Sequence, residues 1–381
     1  MAIYLDNAAT SRRKPGCVYE AMDRFMREIG ASPGRSVHAA GIEASREVAG
    51  AREKMAQLFG IADSSRIVFT LNCTEALNTA IKGLLRNGDH VVTTGVEHNS
   101  VMRPLSAMMR ERGVRVTKTP ADAAGLTDSD EIRKAITPRT ALVVMTHASN
   151  VTGAIQPIEE SCTIARECGI PLLVDAAQSA GCLPMDLRRI PIDLLAFSGH
   201  KGLMGPQGVG GLYVREGLEI TPLKQGGTGS ASQKETQPEI MPDRYESGTP
   251  NTPGLAGLSA ALGFLISQTV KNVRRNLCGV GTQLLEGLLA IDGVTVHGPD
   301  EMEKNVGIFS FRLAGHDPGE VARILETRYG IMTRVGLQCA PSAHRSIGTF
   351  PEGTVRASIS CFTVEEEVQC LVRAVEEIRH G

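Results

Sequence analysis

The chain has 381 residues, with 40 lysines and arginines against 42 aspartates and glutamates, a formal net charge of −2. That balance provides no bulk attraction to nucleic acid or to an anionic membrane surface, and no run approaches the roughly 18 apolar residues of a membrane span. Glycine is frequent (41) while tryptophan is absent and aromatics reach only 4%, the composition of a chain that turns tightly and packs with small aliphatic side chains.

The opening stretch, MAIYLDNAATSRRKPG, carries a strand-like tetrapeptide followed by polar residues and lacks the apolar core of a secretory signal. Ala44, Val48, Ala51, Met55 and Leu58 recur at spacings of four and three and predict a helix that Gly60 stops. A strand over 66–70 leads into a second apolar stripe (Ala76, Leu77, Ala80, Ile81, Leu84) ended by Asn87-Gly88. Further strands are expected over 90–94, 114–118, 141–146, 171–175, 193–198 and 211–215. Several are continuous apolar runs, as in strands covered on both faces. Their alternation with helices predicts a large α/β domain around a mostly parallel seven-stranded sheet. Residues 226–251 are polar, aperiodic and rich in Gly, Pro, Ser and Thr, and read as a long functional loop. Beyond it lie an apolar helix (255–267), strands over 306–313 and 354–360, and an amphipathic helix over 364–379. These make a second, smaller C-terminal α/β domain. The expected division is a large domain over 15–253 and a small one over 254–381, with 1–14 packing near the active site.

The nine cysteines are odd in number and contain no C-x-x-C pair, so no metal cage is expected. They also lack the density of a secreted disulfide framework, and the expected compartment is the reducing cytoplasm.

Asp175 and Lys201, 26 residues apart, end or follow apolar strands. Both should therefore sit at the carboxyl edge of the sheet, where open α/β sheets bind ligands. A plain ion pair between strand ends is the alternative. Ser198-Gly199-His200-Lys201 places a hydroxyl, an imidazole and an amine in one small-residue turn. Asn72-Cys73-Thr74-Glu75 opens a helix directly after a strand, a natural phosphate site, although an ordinary helix cap reads the same way. Glu97-His98 follows a strand at the same edge.

An amine, a carboxylate, a phosphate cradle and a stacking ring together suit pyridoxal phosphate. The chain resembles the class-V branch of the fold-type I pyridoxal-phosphate enzymes, and within it the cysteine desulfurase family. The resemblance runs through YLDNAAT (4–10), SPGRSVH (32–38), FTLNCTEALN (69–78), EHNSV (97–101), HASNVTG (147–153), VDAAQS (174–179), FSGHKGLMGPQGVGGLY (197–213), YESGTPNT (245–252), RVGLQCAP (334–341) and TVRASIS (354–360). It implies Lys201 as the Schiff-base lysine and general base, and Asp175 as the partner of the pyridinium. Asn150 and Gln178 would meet the ring oxygen, with His98 stacked on the ring. Cys73, Thr74, Ser198 and His200 would hold the phosphate, and Thr249 would reach a partner's phosphate across a homodimer. Asn7, Ala8, Arg334 and Arg356 would line the substrate side, with Arg356 gripping its carboxylate.

Cys339 distinguishes activities. In R-x-G-x-x-C it stands five residues after Arg334 and 17 before Arg356, and two flanking cations would favour its thiolate. The bland reading is a buried, inert thiol. Leu337 and Gln338 stand where the family often has histidines. The activity implied is desulfuration of L-cysteine to L-alanine, with sulfur held as a persulfide on Cys339 and passed to an acceptor protein or a thiol reductant, a supply of the kind used in iron–sulfur cluster assembly. Rival readings are a selenocysteine lyase, another class-V aminotransferase, and a non-catalytic regulatory module.

Overall fold

The computed structural model describes residues 2–34, 37–230 and 233–380; Arg35 and Ser36 of the SPGRSVH block lie outside them. A short strand, β1 (Ile3–Tyr4), starts the chain. The central sheet then follows from β2 (Ile67–Thr70), β3 (His90–Thr94), β4 (Arg115–Thr119), β5 (Thr140–Thr146), β6 (Leu172–Asp175), β7 (Leu194–Ser198) and β8 (Gly210–Val214). Their spatial order is β2-β8-β7-β6-β5-β3-β4. β8 runs antiparallel to both its neighbours, β2 and β7, and the other neighbouring pairs are parallel. The seven expected strands are all present. β4 starts one residue later than the periodicity suggests, because Val114 N–H still bonds Met108 O at the end of the preceding helix.

The continuous apolar runs have the cause expected of them. Along β5, Val143 and Met145 face one hydrophobic cluster and Leu142 and Val144 the other. Leu172 and Val174 of β6 oppose Leu173 in the same way. Helices α1 (Gly16–Arg24) and α2 (Ala39–Phe59) belong to the first face, and α3 (Cys73–Leu84) and α4 (Asn99–Arg112) to the second. Helices α5 (Ser129–Ala135), α6 (Ile158–Glu167) and α7 (Thr252–Gln268) complete the first face. Helix α7 begins three residues before its expected start, since Asn251 Oδ1 caps the Gly254 N–H at 3.1 Å and Pro253 suits the first turn.

After α8 (Val270–Leu289) comes a four-stranded antiparallel sheet of β9 (Val294–His297), β10 (Ile308–Leu313), β12 (Arg334–Gly336) and β13 (Thr354–Ser358), in the order β12-β13-β10-β9. Helices α9 (Pro318–Tyr329), α10 (Pro341–Ser346) and α11 (Glu365–His380) accompany it, and β11 (Ile331–Met332) pairs in parallel with β1. β10 starts at 308 rather than 306 because Asn305 Oδ1 takes the N–H groups of both Gly307 and Ile308. β13 stops at 358 rather than 360, where Ser360 N–H turns to Thr363 Oγ1. Among the described residues no single helix is long and apolar enough to cross a membrane; α7 and α8 meet at 78°, and α7 buries Leu255, Leu258 and Leu262 in the core.

Candidate active site

The carboxyl ends of β5, β6 and β7 and the first turns of α3 and α4 border an open cavity of roughly 310 Å³. Its lining includes Cys73, Thr74, His98, Asn150, Asp175, Gln178, Ser198, His200 and Lys201. Nine residues read from the sequence as one site thus meet in one place. The parallel register places them there: Thr146 of β5 lies beside Asp175 of β6, and Asp175 beside Ala196 of β7.

Lys201 is not ion-paired with Asp175; among the described residues its Nζ has neither a hydrogen bond nor a salt bridge. Burial lowers its pKa, against the opposing pull of Asp175. Asp175 Oδ1 instead accepts from Cys73 Sγ (3.3 Å) and Ala177 N (2.9 Å). Oδ2 has no hydrogen bond among the described residues. Burial first, and then the neighbouring Asp175, push the Cys73 thiol well up, so it stays protonated and donates. The plain ion pair between strand ends is therefore not formed.

Helix α3 is capped by Asn72, whose Oδ1 accepts from Glu75 N at 3.0 Å. Cys73 N–H donates to Ser198 Oγ at 3.4 Å, and Thr74 N–H has no acceptor among the described residues. A Cβ on Gly210 would stand 2.6 Å from the Asn72 carbonyl carbon, so a glycine there lets the first turn of α3 lie against β8. With the Thr74 and Ser198 hydroxyls and the positive end of the helix dipole, this turn suits an anion. His200 is held by the N-terminal segment: Nδ1 is 3.0 Å from Thr10 Oγ1, and Ser11 N–H donates to its carbonyl at 3.0 Å. Burial lowers its pKa to about 4.

His98 caps α4. Its Nδ1 accepts from Ser100 N at 3.0 Å, which places the proton of the neutral ring on Nε2. Burial lowers its pKa to about 4, so the ring is uncharged near neutrality. Gln178 Nε2 donates to Ala8 O at 3.1 Å, bringing the first segment to the cavity. Asn7 is fixed by its amide donating to Ser358 O at 2.9 Å.

Arg334 and Arg356 are directly opposite on β12 and β13, an unfavourable pairing of like charges. Asp6 lies with both: Arg356 reaches Oδ1 at 2.7 Å and Arg334 reaches Oδ2 at 3.8 Å. Arg356 is 2% exposed; it also donates to Asn150 O at 2.9 Å, while its Nε is buried without an acceptor among the described residues. Sequence reasoning missed Asp6, although an acid five places from the chain start in the LDNAAT block was visible.

Cys339 is exposed, which removes the reading of a buried thiol, and it is close enough for its charge to act on Arg356. Its two flanking cations are not free, since both share Asp6. Gln338 O accepts from Asn150 Nδ2 at 2.7 Å and Cys339 O from Asn99 N at 2.8 Å. The turn is thus tied to the cavity wall and to the helix that His98 caps. Thr249 is not brought to the lysine cavity of its own chain. It is exposed and lines a second, shallow pocket with Leu71, Glu75, Glu246 and Asn251.

The donor set fits pyridoxal phosphate: an unpaired lysine amine, a carboxylate with one free oxygen, a helix turn with an unused N–H, and an oriented neutral imidazole. Comparison with known proteins agrees in kind. Residues 3–371 match the family model described as aminotransferase class-V. A probable cysteine desulfurase of Methanothermobacter thermautotrophicus is 37% identical over 99% of this chain and 94% of its own length. The apo structure of a cysteine desulfurase from Thermococcus onnurineus superimposes with a TM-score of 0.94 at 35% identity, over 100% of this chain and 95% of that one. A cysteine desulfurase from Escherichia coli, solved as the S-sulfonic acid, gives 0.88 at 31% identity, over 99% and 94%.

Proposed function

We propose that this chain, which belongs to the class-V aminotransferase family and to the cysteine desulfurases within it, converts L-cysteine to L-alanine with pyridoxal phosphate and takes up the sulfur on Cys339. The observation that carries the reading is an unpaired, half-buried Lys201 beside Asp175 together with an exposed Cys339 on a turn bonded to the same cavity wall. A transaminase would need the first and not the second.

When bound, the cofactor supplies an electron sink for the substrate's α-carbon. Lys201 would hold it and Asp175 Oδ2 would face its ring nitrogen. Thr74, Ser198, His200 and the first turn of α3 would hold its phosphate, with Asn150 and Gln178 at the ring oxygen. The neutral face of His98 would stack on the ring. Lys201, with a pKa lowered by burial, is a better base near neutrality than an exposed lysine and moves the α-proton. Arg356 receives the substrate carboxylate, its buried Nε being an unused donor; Asn7, Ala8 and Arg334 flank it. Cys339 then attacks the substrate sulfur as thiolate. A new S–S bond forms, the carbon–sulfur bond breaks, and its electron pair leaves with the carbon, which is protonated to alanine. The persulfide is consumed by an acceptor protein or a thiol reductant, supplying sulfur of the kind iron–sulfur cluster assembly needs. The working form is a homodimer in the cytoplasm, with exposed Thr249 completing the partner's phosphate site.

The test is purified protein supplied with pyridoxal phosphate, L-cysteine and a thiol reductant. Alanine and sulfide should appear in equal amounts. Keto-acid formation without sulfide would make the chain a different class-V enzyme.

A further inference from the structure

Gln338 and Cys339 are adjacent non-glycine residues with φ of +41° and +61°, a backbone region that ordinary side chains avoid. Such a turn persists only where its surroundings hold it. Cys339 is exposed, whereas the Gln338 side chain is 5% exposed and turned inward. Its Nε2 donates to Thr354 O at 3.0 Å, and its Oε1 lies 2.7 Å from His344 Nε2. An amide oxygen only accepts, so His344 carries its proton on Nε2 and its Nδ1 accepts from Thr349 Oγ1 at 2.7 Å. His344 and Thr349 are completely buried. Burial also lowers the His344 pKa to about 4, consistent with that neutral tautomer. A chain of three buried side chains therefore ends on the residue preceding the exposed thiol.

We propose that Gln338, locked by His344 and Thr349, is a positioning residue that fixes the left-handed turn carrying Cys339 at the cavity mouth. The inference rests on the reading of Cys339 as sulfur acceptor. A carboxamide is suited to the task because it must donate to a strand carbonyl and accept from an imidazole at once. No hydrocarbon of the same length does either.

The experiment uses the holoenzyme with Gln338→Met, which keeps the volume and removes both hydrogen bonds. A second variant, Thr349→Val, loosens the far end of the chain more gently. Amide hydrogen exchange over 337–340 should accelerate at least tenfold in the first and severalfold in the second. Pyridoxal phosphate absorbance should be retained, and KM for L-cysteine should stay within about twofold. The kcat for alanine release should fall tenfold or more for Gln338→Met. His344→Phe combined with Gln338→Met should cost no more than Gln338→Met alone, since both break one chain. Unchanged exchange in both variants overturns the proposal. So does equal loss of cofactor and turn order, which would make Gln338 a general support of the fold. Should wild-type protein form no alanine from L-cysteine, the functional reading fails by itself, and the exchange measurement still decides whether Gln338 holds the turn.

Discussion

At Cys339 the backbone and the chemistry make opposite demands. Each non-glycine residue in the left-handed region costs about 1–2 kcal/mol, and two stand side by side at Gln338 and Cys339. A nucleophile must nevertheless present its sulfur in one place. Cys339→Ser keeps the turn, the cofactor residues and Arg356, while its hydroxyl stays protonated near neutrality. Cofactor absorbance and L-cysteine binding should persist while alanine release drops about a thousandfold, or roughly 4 kcal/mol of barrier. Quantifying alanine under one reductant checks this, and equal rates would return Cys339 to a bystander. Arg356 gives the opposite pattern. It is buried, bonded to Asp6 and to Asn150 O, and its removal takes away a carboxylate receptor. Arg356→Ala should raise KM for L-cysteine at least tenfold, and because Asp6 then retains only Arg334, at 3.8 Å, it should also lower the melting temperature. A KM within twofold of wild type would place the carboxylate elsewhere.

At the scale of elements, the segment leading to Thr249 is anchored by a largely buried ion pair. Arg52 of α2 makes two bonds to Glu246, at 2.8 and 3.0 Å, and Glu246 Oε1 accepts from Phe69 N on β2 at 2.6 Å. The guanidinium also lies over the Phe69 ring, 4.6 Å from its centre. Helix, edge strand and loop are thereby joined next to the turn that opens α3. Both side chains are largely buried, so Arg52→Met leaves an unpaired carboxylate and should destabilise the protein by about 3–5 kcal/mol. Replacing both residues, Arg52→Met with Glu246→Gln, should recover part of that loss. Urea unfolding of the four proteins in a cycle measures it, and additive losses would mean that the two groups act separately. Such ties also explain which parts could be read from sequence. The inner strands of the central sheet were legible because both faces are buried, and Asp175 and Lys201 because strand ends are local features. Asp6 beside Arg356, Gln338 against Thr354 and Glu246 against Arg52 join segments distant along the chain, and no local spacing records them. Helix α8 was missed for a different reason: Gly279, Gly281 and Gly287 lie in its interior and depress helix propensity, while packing of Leu277, Leu284 and Leu288 overrides it.

Over the whole molecule, Glu97, His147 and His344, which do not line the lysine cavity, contribute opposing terms to how stability responds to pH. Glu97 is fully buried, and burial raises its pKa to about 8. Oε1 accepts from Thr94 Oγ1 at 2.6 Å and Thr146 N at 2.9 Å, while Oε2 has no partner among the described residues, so the proton resides on Oε2. Burial lowers His147 and His344 to about 4. In the unfolded chain Glu97 would titrate near its ordinary 4.5 and the histidines near 6.5. From pH 4.5 to 8 the folded protein therefore holds a proton at Glu97 that the unfolded chain has released, and stability falls as pH rises. From pH 6.5 down to 4 the unfolded histidines take up protons that the folded ones refuse, and stability falls as pH drops. Each fully differing group contributes up to about 1.4 kcal/mol per pH unit. Two histidines outweigh one carboxyl below pH 6.5 and only the carboxyl acts above it, so these groups place the maximum near 6.5. Glu97→Gln keeps the Oε1 acceptor and cannot ionise. Urea unfolding of cofactor-saturated protein at pH 5, 6.5 and 8 should then show the alkaline limb flattened and the acid limb steeper, because the carboxyl no longer opposes the two histidines there. An alkaline limb as steep in Glu97→Gln as in wild type would mean that Glu97 is ionised in the folded protein.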